Sequence, residues 1–122
     1  MIRHILAIDD SASMREILQS ALSQAGYDVT VATDGDDGLE HALSQHFDLV
    51  LTDLHMPRMS GLDLIRQLRA NPSYIETPIL VLTTESDESF KVALRDAGAT
   101  GWMEKPVDPE VLVDLASALG GA

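Results

Sequence analysis

Acidic, hydroxyl and basic side chains follow the apolar runs of this 122-residue chain. Asp9 and Asp10 come directly after the first run, and Asp53 closes another. Thr83 ends a later apolar run, and Lys105 follows one more segment of this kind. Carboxylates suit a hard cation such as Mg²⁺, whereas a lysine and a hydroxyl suit the oxygens of a phosphoryl group. These residue types therefore indicate metal-assisted phosphoryl chemistry, provided that the fold brings them together.

Strand and helix patterns alternate five times along the chain. Strands separated by helices of this length form βαβ units with right-handed crossovers, and such units build a parallel sheet. The predicted fold class is therefore α/β, with five helices on a doubly wound, five-stranded parallel sheet of order 2-1-3-4-5, in a single domain over residues 1–122. The strands are predicted at residues 4–9, 29–32, 48–53, 79–83 and 100–104.

Capping residues and apolar spacing predict where the helices lie. Ser13 and Glu16 form a predicted capping box at the start of the first helix. Asp87 and Asp108 are predicted caps of the fourth and fifth helices. The residues expected to face the core are Ile17, Leu18, Ala21, Leu22, Ala25, Leu39, Ala42, Leu43, Leu62, Ile65, Leu68, Phe90, Ala93, Leu94, Ala97, Val111, Leu112, Leu115, Ala116 and Leu119.

A parallel sheet would bring the polar strand ends together. Asp9 and Asp10 leave the first strand and Asp53 the third, and these strands are neighbours in the order 2-1-3-4-5. Ligands of such sheets bind at the carboxyl edge, where the strand order reverses. Three carboxylates crowded there repel each other unless a cation lies between them, and Mg²⁺ suits such oxygen ligands. The sequence therefore predicts a magnesium site at this edge.

A second acidic cluster, at Asp34, Asp36 and Asp37, has a different interpretation. An EF-hand calcium loop that began at Asp34 would place Gly38 at a ligand position and Gln45 where the bidentate glutamate belongs. We therefore interpret the cluster as a charged helix start.

Charge and hydropathy limit the function further. The net charge is −12, with 20 acidic residues against 8 basic ones, and such a surface repels nucleic acid phosphates. No apolar stretch approaches the roughly 18–20 residues that a membrane span needs, and the first residues lack the pattern of a signal peptide. We therefore expect a soluble cytoplasmic protein that binds neither nucleic acid nor membranes.

Taken together, these residues resemble the receiver domains of bacterial two-component response regulators, especially the single-domain, CheY-like chemotaxis type. The resemblance spans nearly the whole chain and implies the flavodoxin-like, CheY-like version of the predicted fold. It also implies a phosphorylation-activated signalling protein without enzyme activity on other molecules. The matching pieces are Asp9-Asp10, Asp53 with Met56-Pro57 and Gly61, Thr83, and Lys105-Pro106.

The resemblance implies a role for each residue of the site. Asp53 would be the nucleophile that takes a phosphoryl group from a histidine kinase, and Lys105 would pair with a phosphoryl oxygen. Asp10 and Asp53 would bind Mg²⁺ together with the backbone carbonyl of His55. Asp9 would act on the metal mainly through water. The peptide bond before Pro106, which follows Lys105, would be cis and would help to aim the lysine.

The resemblance also implies a switch and a means of tuning. Thr83 would hydrogen-bond the phosphoryl group, and Trp102 would fill the vacated space, which would remodel the face made by the fourth helix, fifth strand and fifth helix. His55 and Glu85 lie two residues after Asp53 and Thr83, at positions that would tune how fast water removes the phosphoryl group. The alternative for this pair is two solvated side chains at the rim of the site.

Several functions remain open at this level. The single-domain resemblance suggests chemotaxis, with a flagellar motor switch protein or a phosphatase as a further partner, or a phosphate sink that needs no target. We expect a monomer. The alternative from another class is a small magnesium-dependent phosphohydrolase of the haloacid-dehalogenase type. Such enzymes need a second acid two residues after the nucleophile, where this chain has His55. A flavin carrier on the same fold is disfavoured because the loop 10–13 begins with an acid.

Overall fold

Five strands and five α-helices alternate in the computed structural model, which describes residues 2–85 and 87–121. A short 3₁₀ turn (Pro72–Tyr74) follows the third helix. The strands are β1 (His4–Ile8), β2 (Asp28–Ala32), β3 (Leu49–Asp53), β4 (Ile79–Thr83) and β5 (Gly101–Glu104). The helices are α1 (Ala12–Gln24), α2 (Gly35–Ser44), α3 (Gly61–Arg69), α4 (Glu88–Ala97) and α5 (Pro109–Gly121).

The strands form one parallel sheet in the order β2-β1-β3-β4-β5, which confirms the predicted fold. All residues of β3 and β4 are buried, because helices cover both faces of the sheet. Such strands are read in the sequence as continuous apolar runs, and each predicted strand boundary lies within one residue of the observed one. Within the described residues, no helix is long and apolar enough to cross a membrane.

The core lies in two layers, one on each face of the sheet. Alternate residues of β1 divide between them: Leu6 and Ile8 pack into one layer, and Ile5 and Ala7 into the other. The first layer is closed by α2, α3 and α4, and the second by α1 and α5. The helices therefore hold the central strands from both sides and fix where their carboxyl ends emerge.

The start of α1 differs from the prediction. The predicted capping box at Ser13 is wrong, because Ser11 is the N-cap and its Oγ accepts a hydrogen bond of 3.3 Å from the Met14 amide. The reason lies in the preceding loop, where Asp9 Oδ1 accepts the Ser11 amide at 2.9 Å and turns the chain into the helix early. Ser13 lies inside the first turn, with its Oγ 3.1 Å from that of Ser11.

The other predicted helix caps are confirmed. Asp87 accepts the Phe90 amide at 2.9 Å, and Asp108 accepts the amide of the residue two positions on at the same distance. Asp34 is the N-cap of α2 and accepts the Asp37 amide at 2.8 Å, so the second acidic cluster is a charged helix start. A carboxylate in the first turn satisfies amides that have no partner within the helix.

Four predicted core residues are wrong. Ile17, Leu43 and Val111 are 44%, 64% and 51% exposed, and Ala25, the C-cap of α1, is also exposed. Each of the first three lies next to a buried residue of its helix. Since an α-helix turns about 100° per residue, a neighbour of the most buried position can point past the edge of the core. The apolar pattern is therefore wider than the buried stripe in these helices.

Candidate functional site

The carboxyl ends of neighbouring strands bring the predicted residues to one edge of the sheet. Two of them lie just beyond their strands but are still held by the ladder of backbone hydrogen bonds. The Asp9 amide donates to Ala32 O at 3.1 Å, and the Lys105 amide donates to Thr83 O at 2.8 Å. The backbone of the site is therefore fixed by the sheet, although its side chains project into the loops above it.

Lys105 bridges the two buried carboxylates. Its Nζ lies 3.0 Å from Asp9 Oδ2 and 3.1 Å from Asp53 Oδ1. The peptide bond between Lys105 and Pro106 is cis, as the resemblance implies. A buried carboxylate without a partner would destabilise the fold. The carboxylates of Asp9 and Asp53 are paired with the Lys105 ammonium group, and they hold it in place.

The electrostatics of this trio act on both kinds of group. Burial alone would lower the pKa of Lys105, but hydrogen bonds and attraction from Asp9 and Asp53 outweigh it and raise that pKa. Burial raises the pKa of Asp53, the hydrogen bond from Lys105 opposes this, and repulsion by Asp9 adds to it, so the net shift is upward. The lysine therefore stays cationic at neutral pH, and the Asp53 carboxylate is more basic than an ordinary one.

The two oxygens of Asp53 have different surroundings. Oδ1 accepts hydrogen bonds from the Leu54 amide at 2.8 Å and from Lys105. Among the described residues, none donates a hydrogen bond to Oδ2. One oxygen therefore orients the side chain, and the other is available to a metal or to phosphorus.

The loop after Asp53 returns close to its own start. A Cβ atom added to Gly61 would lie 2.5 Å from the backbone oxygen of Asp53, closer than real Cβ contacts come. The Gly61 amide also donates to Leu54 O at 2.8 Å. Gly61, one of the residues that carry the resemblance, is thus required by a close backbone approach beside the site.

Asp9 is committed to protein contacts, unlike its neighbour Asp10. Its Oδ1 accepts the Ser11 amide and its Oδ2 the Lys105 ammonium, while Arg15 Nη1 donates to its backbone oxygen at 2.7 Å. Asp10 is exposed. Nothing in the sequence pattern points to Arg15, since its contact depends on the early start of α1.

The acidic cluster suits a hard divalent cation. Carboxylate oxygens of Asp9, Asp10 and Asp53 all lie within 4.8 Å of one another. The exposed Asp10 and the open oxygen of Asp53 can bind a metal directly, whereas Asp9 has both oxygens in use. Oxygen ligands with room for water are what Mg²⁺ prefers, so the residues fit the predicted ion.

The two predicted switch residues have different surroundings. Thr83 is buried, and its Oγ1 accepts the Glu85 amide at 3.0 Å. Trp102 is 39% exposed, and Lys91 Nζ lies 5.3 Å from the centre of its ring. The hydroxyl is therefore turned toward the loop after β4, and the structure does not bring the indole into the site.

His55 and Glu85 approach each other from the loops that follow Asp53 and Thr83. His55 Nε2 lies 3.6 Å from Glu85 Oε1, and the histidine side chain is 73% exposed. The structure thus brings together the two positions that were expected to tune dephosphorylation. Their exposure also fits the alternative of solvated rim residues, so the tuning role stays a prediction.

Comparison with known proteins places this geometry in a family. Residues 5–117 match the family model of the response regulator receiver domain. Response regulator ArlR of Staphylococcus saprophyticus is 40% identical over 115 residues, which are 94% of this chain and 51% of that protein. The chain spans about half the length of the curated relatives that it matches.

Solved structures agree over the full length of the fold. The chemotaxis response regulator CheY4 of Vibrio cholerae superimposes with a TM-score of 0.92 at 38% identity, covering 98% of this chain and 99% of that one. A response regulator protein from Burkholderia multivorans is 61% identical with a TM-score of 0.86, covering 100% of this chain and 98% of the other.

The matched range begins within β1 and continues past Lys105, so it includes every strand end that contributes to the acidic edge. Both the strand order and the cis bond after Lys105 agree with what the sequence resemblance implied. A receiver domain implies a histidine kinase as its partner and an acidic pocket for Mg²⁺, and it is a signalling module rather than a classical enzyme. The chain belongs to the response regulator receiver domain family of two-component systems.

Proposed function

We propose that residues 1–122 act as one receiver domain, which accepts a phosphoryl group on Asp53 from a histidine kinase and signals through the face made by α4, β5 and α5. The observation that carries this proposal is the asymmetry of Asp53. Lys105 and a backbone amide hold Oδ1, whereas Oδ2 is open beside the carboxylates of Asp9 and Asp10. A fixed carboxylate with one open oxygen is suited to in-line attack on phosphorus.

In the proposed transfer, Asp53 forms a bond to phosphorus as the bond from phosphorus to the histidine nitrogen of the kinase breaks. Lys105 pairs with a phosphoryl oxygen and is already held within 3.1 Å of the nucleophile. Asp10, Asp53 and the His55 carbonyl would hold Mg²⁺, which would supply positive charge to offset the charge of the phosphoryl oxygens. Preorganised charges of this kind stabilise the transition state without further movement.

The proposed signal begins at Thr83. Its hydroxyl accepts the Glu85 amide in the present structure and would turn to donate to a phosphoryl oxygen. Trp102 would then move inward from its exposed position against Lys91. A change at β5 and the adjacent α4 alters the surface that a partner contacts.

Chemotaxis is the proposed pathway, supported by the likeness to CheY4 over the whole chain. The partner would be a flagellar motor switch protein or a phosphatase, and a phosphate sink is the version without a target. We propose a cytoplasmic monomer. The half-length match to ArlR favours a second candidate, in which the same domain controls a further segment of a longer regulator.

Binding of a flagellar motor switch peptide tests the pathway. The affinity would be measured with and without beryllofluoride and Mg²⁺, with Asp53→Asn as the control that cannot form the phosphoryl mimic. We expect the mimic to tighten binding of the wild type about tenfold, which is typical of coupling between two sites. Equal binding in both states, or none, would remove the motor protein as partner and favour the sink or the second candidate.

A further inference from the structure

The loop between β3 and α3 contains a residue with an unusual backbone. Arg58, five positions after Asp53, has φ of 67°, a conformation that residues other than glycine rarely adopt. Within residues 55–60 of this loop, one backbone hydrogen bond, from the Met59 amide to Pro57 O, holds the chain. A loop with so few backbone contacts of its own needs outside anchors to keep one position.

The side chain of Arg58 supplies one such anchor. Its Nη2 donates to Asp34 Oδ2, and its Nε donates to Asp36 Oδ2 at 3.1 Å. Asp34 uses its other oxygen to cap α2 through the Asp37 amide. The guanidinium therefore joins the loop to the first turn of α2, an element that the core holds in place.

A second contact brings the backbones together at the same point. A Cβ atom added to Gly35 would lie 2.7 Å from the backbone oxygen of Met59 and 2.8 Å from its Cβ. The residue after Arg58 therefore packs directly on the first residue of α2. We call this pair of contacts, Arg58 with Asp34 and Asp36 and Met59 on Gly35, the loop clamp.

We infer that Arg58 is a positioning residue for phosphoryl acceptance, which it serves by clamping the β3–α3 loop to α2. The loop contains His55, whose backbone carbonyl is the third metal ligand in the proposed function, on which this inference rests. A loop held in one position offers that carbonyl without the entropic cost of ordering it when the metal binds. Exposed ion pairs contribute little to the free energy of unfolding. We therefore expect loss of the loop clamp to change the affinity for Mg²⁺ more than the stability of the fold.

For Arg58→Ala, the change in charge and the loss of the loop clamp predict opposite changes in Mg²⁺ affinity, which makes the inference testable. Arg58→Ala removes a positive charge near an acidic metal site, so simple electrostatics would tighten Mg²⁺ binding. Loss of the clamp would weaken it. Asp34→Asn removes the charge of one of the two carboxylates that hold Arg58 and leaves Asp36 in place. It keeps a good N-cap for α2, because asparagine caps as well as aspartate.

The experiment titrates MgCl₂ into the ¹⁵N-labelled protein and follows the backbone amide resonances of the site. Thermal unfolding of each variant is recorded alongside to show that it is folded. We expect Arg58→Ala and Asp34→Asn each to raise the Mg²⁺ Kd about three- to tenfold. This is less than the effect of removing a buried residue that orients a metal ligand, because the Arg58 side chain is exposed. The double variant should be no weaker than Arg58→Ala, since that substitution already removes the contacts with both Asp34 and Asp36.

Arg66→Ala is the matched control, since it removes the same charge from an exposed pair with Asp63 on α3. It should leave the Kd unchanged. Unchanged or tighter Mg²⁺ binding by Arg58→Ala would overturn the inference. The rate of labelling by acetyl phosphate separates this outcome from failure of the proposed function. A wild type that binds Mg²⁺ but is never phosphorylated contradicts the function, whereas normal wild-type labelling with no Arg58 effect contradicts the clamp alone.

Discussion

Thr83 and Trp102 lie on neighbouring strands and project from the same face of the sheet. Trp102 pairs with Val81 in the parallel register, and Val81 precedes Thr83 by two residues. Since side chains alternate along a strand, Val81, Thr83 and Trp102 share one face. The Thr83 hydroxyl and the Trp102 indole therefore lie on the same face of the sheet, and the register partner of Trp102 is two residues from Thr83.

This relationship predicts that Trp102 reports on the site through Thr83. Beryllofluoride with Mg²⁺ should change the fluorescence of Trp102, the single tryptophan in the chain. Thr83→Ala should abolish most of that change, because no hydroxyl remains to turn toward the phosphoryl mimic. Thr84→Ala is the matched control, since its side chain is exposed. An unaltered fluorescence change in Thr83→Ala would contradict the coupling.

Lys105 should contribute to stability as well as to phosphoryl transfer. Lys105→Met leaves Asp9 buried and without its ammonium partner. We expect a loss of about 2–3 kcal/mol in the free energy of unfolding, somewhat below that of a fully buried pair. Urea denaturation without metal measures it. Arg66→Met, which removes an exposed pair with Asp63, should change the value by less than about 0.5 kcal/mol. Equal effects of the two substitutions would rule out a stabilising role for the contacts of Lys105 with Asp9 and Asp53.

The raised pKa of Asp53 predicts that this residue lowers the free energy of unfolding of the metal-free protein by an amount that depends on pH. A group whose folded pKa lies above its ordinary value, 3.8, favours folding when protonated. That contribution is fully present below pH 3.8 and is lost as the pH rises through the folded pKa. At neutral pH the ionised carboxylate therefore opposes folding, because it is buried and lies near Asp9.

Asp53→Asn should accordingly be more stable than the wild type at pH 7 in the presence of a chelator. The advantage should shrink as the pH falls through the folded pKa of Asp53 and should reach its minimum below pH 3.8. Urea midpoints at pH 7 and at a pH below 3.8 measure the difference. Asp63→Asn is the control, because the Asp63 side chain is exposed. An advantage that is the same at both pH values would show that ionisation of Asp53 is not its cause.

The contact between His55 and Glu85 predicts an effect on the lifetime of the phosphorylated state. The pair joins the loop after Asp53 to the loop after Thr83, so its removal should admit water to the phosphoryl group. Glu85→Ala should speed loss of the phosphoryl group from Asp53 severalfold, whereas Glu88→Ala, in the first turn of α4, should not. Identical decay in both variants would favour the interpretation of solvated rim residues.

The strand ends could be predicted because buried parallel strands are apolar on both faces. Asp9, Asp53 and Thr83 each mark where such a run stops, and the parallel topology then places them at one edge. The contacts of Arg15 and Arg58 could not be predicted in the same way. Each depends on the path of a loop, and no periodic pattern in the sequence encodes which carbonyl or carboxylate a loop will approach.

Helix surfaces were harder to predict than strands for a related reason. Ile17, Leu43 and Val111 have apolar side chains at spacings that suit a buried stripe, yet all three are exposed. The width of the buried stripe depends on how the neighbouring helices cover it, which is a property of the tertiary packing. The start of α1 at Ser11 has the same origin, since a contact from Asp9 sets it.

Intact-mass spectrometry after incubation with acetyl phosphate tests the central claim most directly. The wild type would be compared with Asp53→Asn, each with Mg²⁺ and with a chelator. The account predicts one labile phosphoryl group on the wild type with Mg²⁺, and none in the other three samples. An unmodified wild type that is folded and supplied with Mg²⁺, or an adduct that persists in Asp53→Asn, would contradict the assignment of Asp53 as the phosphoryl acceptor.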